Sequence, residues 1–451
     1  MPCSMYLVPF NQLNHTDYVH LFFYNIFLLF YKLIIRIAAL WNPKARLWLA
    51  GRKGLLERLK SEIGSRKYEV KNPKPDTVWM HCASLGEFEQ GRPVLEAIRT
   101  LYPGTKIVLS FFSPSGYEIR KNYTGADYIC YLPLDSKIHA RQFLDAIQPS
   151  LVLWVKYEYW YYYLVELKKR KIPTLLVSGI FRKNQPFFKW YGRLHQYMLD
   201  SFTHMFVQTE QSRELLAAIR FTKAISVTGD TRFDRVVTIA EQFQPLPVIE
   251  RFIGNSPVIV AGSTWLVDEE ELDHYANTHP EIKFIIAPHE VDEERLKEVE
   301  KLFHHTIRFS RLEERYKAQG TGHREENPAN TLIIDNIGML SKLYNYGTIT
   351  YVGGGFGEDG VHNVLEAAVY GKPVIFGPVY DKYIEAVELL ESGGASVAEN
   401  ALELEQVFNE LLADKNKFAA CAEAARHYVY AKKGATEKVV QYIQENRLLT
   451  N

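Results

Sequence analysis

From residue 76 onward, short apolar runs alternate with amphipathic segments, and this alternation limits the fold more than any other feature of the chain. TVWMHCAS (77–84), KIVLSFF (106–112), SLVLWV (150–155), TLLVSG (174–179), HMFVQT (204–209) and AISVTG (224–229) read as strands. FEQGRPVLEAIRTL (88–101), a segment from about Ser115 and a Tyr-rich stretch before residue 174 read as the helices between them. Strands this apolar, separated by helices, belong to a parallel sheet covered on both faces. EQFQPLPVIE (241–250) interrupts the series with two prolines. The series then restarts with PVIVAGST (257–264), KFIIAPHE (283–290), TLIIDN (331–336), GTITYVGGG (347–355) and KPVIFGP (372–378). Residues 316–330 read as a loop, and 402–448 as helical. The chain of 451 residues is therefore expected to be α/β, with two doubly wound, Rossmann-like domains at 46–240 and 255–430. A linker at 241–254 joins them, and a helix at 431–451 ends the chain. Ligands are expected in a cleft at the carboxyl ends of both sheets.

Charge is balanced, with 53 Lys+Arg against 53 Asp+Glu. That balance excludes a generally basic coat and, with it, a nucleic-acid polymer as partner. The local distribution is uneven. YVHLFFYNIFLLFY (18–31) continues as KLIIRIAALW, and Lys44, Arg46, Arg52, Lys53, Arg58 and Lys60 follow. A cleavable signal fits poorly, because no cation precedes the apolar run and no small-residue cleavage pattern follows it. Residues 1–45 are expected as a membrane anchor. It either spans, with Lys32 and Arg36 snorkelling to the cytoplasmic headgroups, or lies in the interface; the alternative to an anchor is a buried apolar helix of a soluble domain. The positive-inside rule puts the rest of the chain on the cytoplasmic side. Cys3, Cys82, Cys130 and Cys421 show no C-x-x-C spacing, so neither a zinc site nor a redox dithiol is expected.

Five constellations carry candidate chemistry. In His81-Cys82-Ala83-Ser84-Leu85-Gly86-Glu87 a strand meets a helix, and Gly86 is expected to permit a tight turn. Glu87 in the first helical turn stays ionised, as a general base needs, although Ser84-x-x-Glu87 also reads as a capping box. Gly353-Gly354-Gly355-Phe356-Gly357 leads into a helix bearing Asn363 and Glu366. Loop amides and the helix start suit a phosphate there, and Glu366 suits the hydroxyls of a ribose. Ser263 and Thr264 stand where a strand gives way to an acid-rich helix, placed either to cap it or to donate to a phosphate. His289 ends the next strand. Lys156 and Glu158 open the Tyr-rich stretch, and Arg182-Lys183 with Lys189 and Arg193 forms a basic segment interleaved with aromatics. H-E-x-x-H, G-x-S-x-G and Cys/His ligand clusters are absent, so no metal site is expected.

Taken in order, HCASLGE, SFFSPSGYE, YLPLD, YEYW, FVQTEQS, GDTRFD, AGST, DNIGMLSKLY and YVGGGFGEDGVHNVLEAAVYGKPVIFGP resemble the 3-deoxy-D-manno-octulosonic acid (Kdo) transferases of lipopolysaccharide synthesis. The resemblance implies a GT-B fold and inverting, metal-independent transfer of Kdo from CMP-Kdo to a lipid A precursor. No cofactor is implied, CMP-Kdo being the donor substrate. It implies residence at the cytoplasmic face of a bacterial inner membrane. Glu87 matches the family's general base. Ser263, Thr264, Gly354, Gly355, Asn363 and Glu366 match the donor side, where His289 is also expected; Ser84, Gly86, Glu158 and Arg182 are expected on the acceptor side. The chain departs from the family at Lys156, Tyr161 and Trp265, where an acid, a proline and a histidine are usual, and only Pro288-His289 remains of a proline–arginine–histidine–proline motif. The alternatives are a GT-B transferase of a UDP- or GDP-sugar, a sugar-nucleotide 2-epimerase, and a catalytically silent scaffold at the membrane.

Overall fold

The structure is a computed structural model that describes residues 15–64, 75–156, 158–221, 224–319 and 329–450. The chain divides into two compact units, Met1–Arg235 with Gly434–Asn451, and Val236–Lys433.

The first unit holds a parallel sheet of β1 (Thr77–Cys82), β2 (Lys106–Phe111), β3 (Tyr128–Tyr131), β4 (Leu151–Val155), β5 (Thr174–Gly179), β6 (His204–Val207) and β7 (Ile225–Val227). Their order is β3-β2-β1-β4-β5-β6-β7. Every residue of β1, β4 and β5 is buried, as their unbroken apolar sequences demand. Alternate residues serve opposite faces. Trp79, Val152, Trp154 and Leu176 pack with Phe143, Tyr163 and Leu164, while Val78, Met80, Leu153 and Leu175 pack with Val94, Leu95, Ile98, Val439 and Ile443. The last two belong to the C-terminal helix Ala435–Glu445, so the end of the chain covers the first sheet. Each such apolar side chain contributes about 1.5–3 kcal/mol by leaving water.

The second unit repeats the architecture with β8 (Val258–Thr264), β9 (Lys283–Pro288), β10 (Thr306–Arg308), β11 (Thr331–Ile333), β12 (Ile349–Val352), β13 (Val374–Phe376) and β14 (Ala395–Val397), in the order β10-β11-β9-β8-β12-β13-β14. Strand order reverses at β1/β4 in one unit and at β8/β12 in the other. In an open parallel sheet these reversals open the crevices in which ligands sit.

Three differences from the sequence reading have physical causes. The short strands β3, β10 and β14 lie at sheet edges, where three or four residues leave no periodic signal. The expected linker 241–254 contains the helix Pro247–Ile253, with Ile249 and Phe252 buried. Pro247 occupies the first helical turn, where its missing N–H costs nothing, so it starts a helix instead of breaking one. The expected loop 316–330 begins later, because the helix Phe309–Gln319 runs through its first residues; 320–328 lie outside the described residues.

Candidate functional site

In the first unit, β1 runs into the helix Leu85–Leu101 through Ala83 and Ser84. Glu87 stands in the first turn and is buried. The expected capping box forms only in part. The Ser84 hydroxyl makes no capping bond, and the Glu87 carboxylate accepts instead from the Ala83 amide. Gly86 is not at a strained turn. It lies within the helix, and a Cβ there would meet open space. Its lack of a side chain leaves the start of the helix uncovered beside Glu87. Burial pushes the Cys82 thiol well above its ordinary value, with the charge of Glu87 adding to the effect. Cys82 is therefore a thiol at neutral pH and no nucleophile.

Across the reversal, Lys156 follows β4 with φ of 54°, a left-handed conformation unusual for a non-glycine residue. Glu158 accepts from the indole N–H of Trp160 at 3.1 Å, and its carboxylate lies 3.8 Å from His81 Nε2. The other nitrogen of His81 is 2.9 Å from the Ser110 hydroxyl. That hydroxyl also accepts from the Trp79 indole at 2.8 Å, so Trp79, Ser110 and His81 form a buried polar line leading to Glu158. Arg182 is exposed after β5. Tyr157 lies outside the described residues.

The motif GDTRFD supplies a cluster that the sequence reading did not single out. Asp230, buried after β7, accepts from the Gln90 amide at 3.1 Å, the Gln208 amide at 3.0 Å, and the Arg232 backbone N–H and guanidinium at 2.9 Å each. Burial opposes its charge, but Arg232 and Lys156 outweigh it and hold the carboxyl below its ordinary value. Gln90 lies one turn beyond Glu87 on the same helix, so Asp230 braces the segment that carries Glu87. The one available signal was an acid directly after a glycine at a strand end.

In the second unit, β8 pairs with β9 through a register shift between Gly262 and Thr264, and the intervening Ser263 adopts φ of 54°. Only Ser263 of the Ser263-Thr264 pair faces outward. The Thr264 hydroxyl is fully buried and donates to Glu269 Oε1 at 2.7 Å, so it is not free to meet a phosphate. The glycine loop after β12 is built on Asp268. This buried carboxylate accepts from the Gly354 N–H at 2.9 Å, the Trp265 N–H at 2.8 Å and the Tyr351 hydroxyl at 2.7 Å. The Gly354 amide thus already has an internal partner. Gly354 turns the chain with φ of 91°. A Cβ on Gly353 would lie 2.4 Å from the Ser263 carbonyl, and one on Gly355 2.5 Å from the Gly377 nitrogen.

The helix after this loop is a single turn, Leu365–Ala368, with Glu366 in it. The expectation of a longer helix aiming its positive end at a phosphate fails, since one turn sums few peptide dipoles. What remains is a side-chain arrangement. Asn363 donates to Glu366 Oε1 at 2.9 Å and fixes its carboxylate, while Asn363 Oδ1 is buried with no hydrogen-bond partner. His289 stacks between Trp265 and His362, with ring centroids 4.5 Å apart on each side. The Trp265 indole donates to His362 Nε2 at 3.0 Å. Burial pushes His362 down to about 4, helped by His289, and lowers His289 as well, so both imidazoles are neutral at pH 7. Among the described residues no three His, Cys, Asp or Glu side chains converge as a metal-ligand set.

Comparison with known proteins agrees with this geometry. Residues 55–235 match the model of the family described as 3-Deoxy-D-manno-octulosonic-acid transferase (kdotransferase). A 3-deoxy-D-manno-octulosonic acid transferase of Chlamydophila psittaci is 26% identical over 433 residues, covering 93% of this chain and 95% of that protein. A bifunctional glycosyltransferase/methyltransferase of Fusobacterium nucleatum is 26% identical over 409 residues, 87% of this chain, but the match spans only 59% of that longer protein. In fold, the chain is similar to UDP-GlcNAc 2-epimerase from Neisseria meningitidis, with a TM-score of 0.58 at 17% identity, over 82% of this chain and 100% of the epimerase. The two parallel sheets and their matching reversals give a GT-B-like fold, and in sequence the chain is similar to Kdo transferases over most of its length.

Proposed function

We propose that the protein transfers Kdo from CMP-Kdo to the 6′-hydroxyl of a tetraacyl lipid A precursor, with inversion, at the cytoplasmic face of a bacterial inner membrane. One observation carries the chemical assignment. Glu87 is a buried carboxylate in the first turn of the helix leaving β1, at the reversal of the first sheet. A carboxylate there, held by the Ala83 amide at the start of the helix, suits proton abstraction from a hydroxyl. In the reaction the acceptor oxygen bonds to the anomeric carbon of Kdo as its proton passes to Glu87. The bond from that carbon to the phosphate oxygen breaks, and its electron pair leaves with CMP. Glu158 and Lys156, at the end of β4, and Arg182, after β5, supply the remaining acceptor-side groups. On the donor side, Ser263 offers its hydroxyl and Gly355 allows close approach. Glu366, fixed by Asn363, accepts from the ribose hydroxyls. The stacked, neutral rings of Trp265, His289 and His362 form an uncharged wall on the donor side.

The test is incubation with a CMP-Kdo-generating system and a tetraacyl lipid A precursor, with product mass as readout. A mass increase of one or more Kdo units supports the assignment, and no increase sinks it. Product formation is expected to survive excess chelator, since the transfer is proposed to be metal-independent. The epimerase-like fold makes a UDP-sugar enzyme the competing reading. Thermal-shift measurements with CMP, UDP and GDP at equal concentration separate the two, because the nucleotide that binds the folded chain most tightly stabilises it most. Stabilisation by UDP alone would overturn the Kdo assignment.

A further inference from the structure

The buried polar line Trp79–Ser110–His81 has a direction, and the direction fixes the state of His81. The Trp79 indole can only donate, so Ser110 accepts from it at 2.8 Å. Among the described residues, the other partner of the Ser110 hydroxyl is His81 Nδ1, at 2.9 Å. Ser110 is fully buried, where a hydroxyl hydrogen left unbonded is costly, so it donates to Nδ1. An imidazole whose Nδ1 accepts is neutral and carries its proton on Nε2.

His81 Nε2 is buried and has no hydrogen-bond partner, and Glu158 Oε2 lies 3.8 Å from it. That is about 1 Å beyond a hydrogen bond. His81 cannot close the gap, since it is 1% exposed and packs against the rings of Trp154 and Trp79 at centroid distances of 4.7 and 6.2 Å. Glu158 can, because its side chain is 29% exposed. The same Oε2 accepts from the Trp160 indole at 3.1 Å, while Oε1 accepts no hydrogen bond among the described residues. One carboxylate oxygen thus belongs to the fold and the other is left for a ligand. The surroundings suit a sugar. Trp160 packs on Phe112 with ring centroids 4.6 Å apart, and the Arg52 guanidinium lies over Phe112 at 4.8 Å. Arg52 donates to the Leu132 and Phe112 carbonyls at 2.9 and 2.7 Å, so its charge acts on Glu158 without occupying the carboxylate. Ser110, His81 and Glu158 are not a hydrolytic triad. There Nε2 serves an accessible serine and Nδ1–H the acid; here the nitrogens are exchanged and Ser110 is fully buried.

We propose that His81 is a positioning residue for the acceptor: when an acceptor sugar binds, the Glu158 carboxylate closes on the His81 Nε2–H, which with Trp160 holds Oε2, and Oε1 accepts from an O–H or N–H of that sugar. No proton is transferred in this step, so the role is separate from that of Glu87. A bond from N–H to a carboxylate is charge-assisted and shorter than a neutral one, which makes it a firm guide for the second oxygen. The inference rests on the proposed function for the identity of the sugar.

Two measurements on the full chain decide it. The first is nitrogen-15 NMR of histidine-labelled protein, with the His81 signals recognised by their change in Ser110→Ala. Wild type is expected to show the Nε2–H tautomer, and its Nε2 signal to shift when a tetraacyl lipid A precursor is added, but not in Glu158→Ala. An Nδ1–H tautomer, a doubly protonated ring or an unmoved signal would overturn the proposal. The second is a double-mutant cycle on Kdo transfer. His81→Phe is expected to raise the KM for the acceptor about tenfold with the KM for CMP-Kdo unchanged, and to add less than about twofold in the Glu158→Ala background. His81→Gln, whose amide nitrogen can take the place of Nε2, is expected to recover most of the loss. Equal effects of His81→Phe in both backgrounds would overturn the proposal. The tautomer is read on wild type, so it decides the matter even where a His81 variant fails to fold. A wild type that forms no product fails the proposed function instead, and the tautomer still tests the assignment of His81.

Discussion

Glu87 is held by its own chain, through the amide of Ala83 four residues earlier. That bond removes side-chain freedom and presents the carboxylate from a helix start, so the role as base proposed for it rests on position as much as on charge. Glu87→Gln keeps the shape and the bond to Ala83 but has no basic oxygen. Single-turnover transfer is expected to fall by about 10²-fold or more, with calorimetric binding of CMP-Kdo unchanged. A rate near wild type would remove Glu87 from the mechanism. Ser263 tests a different cost. Its left-handed backbone is strained for a residue with a Cβ, by roughly 1 kcal/mol, and glycine adopts that conformation freely. Ser263→Gly is therefore expected to raise the unfolding free energy by about that amount while weakening donor affinity; lower stability would show that the hydroxyl matters more to the fold than to the ligand. These two residues were legible because each stands where a strand gives way to a helix. Asp230 and Asp268 were not. Asp230 meets Gln90 across 140 positions of sequence, and Asp268 meets Gly354 across 86. Only the fold brings such pairs together.

At the scale of elements, the long buried strands were readable because their apolar runs admit no other placement, whereas the edge strands β3, β10 and β14 were too short to show a period. The glycine loop lay between these cases. Its composition marked a turn, but it did not reveal that the loop amides bond inward to Asp268. This inward bonding makes the loop a packed element, and the packing can be measured. In Gly355→Ala the new Cβ meets the backbone of Gly377, which is not a flexible side-chain end that can swing away. The variant is expected to lose about 1–3 kcal/mol of stability, read by chemical denaturation, together with donor binding. Ordinary stability with donor binding lost would mean that the loop yields and the glycine serves only the ligand.

Over the whole molecule the charges cancel, yet the groups behind that balance titrate in opposite directions. The stack of Trp265, His289 and His362 gives the second unit a pH dependence with a definite sign. His362 has an ordinary value of 6.5 and is pushed down to about 4 in the folded chain, first by burial and then by His289. As pH falls below 6.5 the unfolded chain binds a proton there before the folded chain does. The stability from the neutral ring is therefore complete above 6.5, declines as pH falls, and is gone below about 4. Burial shifts His289 in the same direction. Asp268 and Glu269 oppose this at the acid end. Burial raises both carboxyls, so their contribution is present below their ordinary values and is lost as pH rises through the folded ones. The comparison of wild type with His362→Gln removes the carboxyl terms, and glutamine can still accept from the Trp265 indole. The stability difference between the two proteins, followed by tryptophan fluorescence during chemical denaturation, is expected to favour wild type most at pH 7 and to shrink steadily toward pH 4. A difference that stayed constant over that range would mean that His362 protonates equally in both states and that the stack is not buried as described.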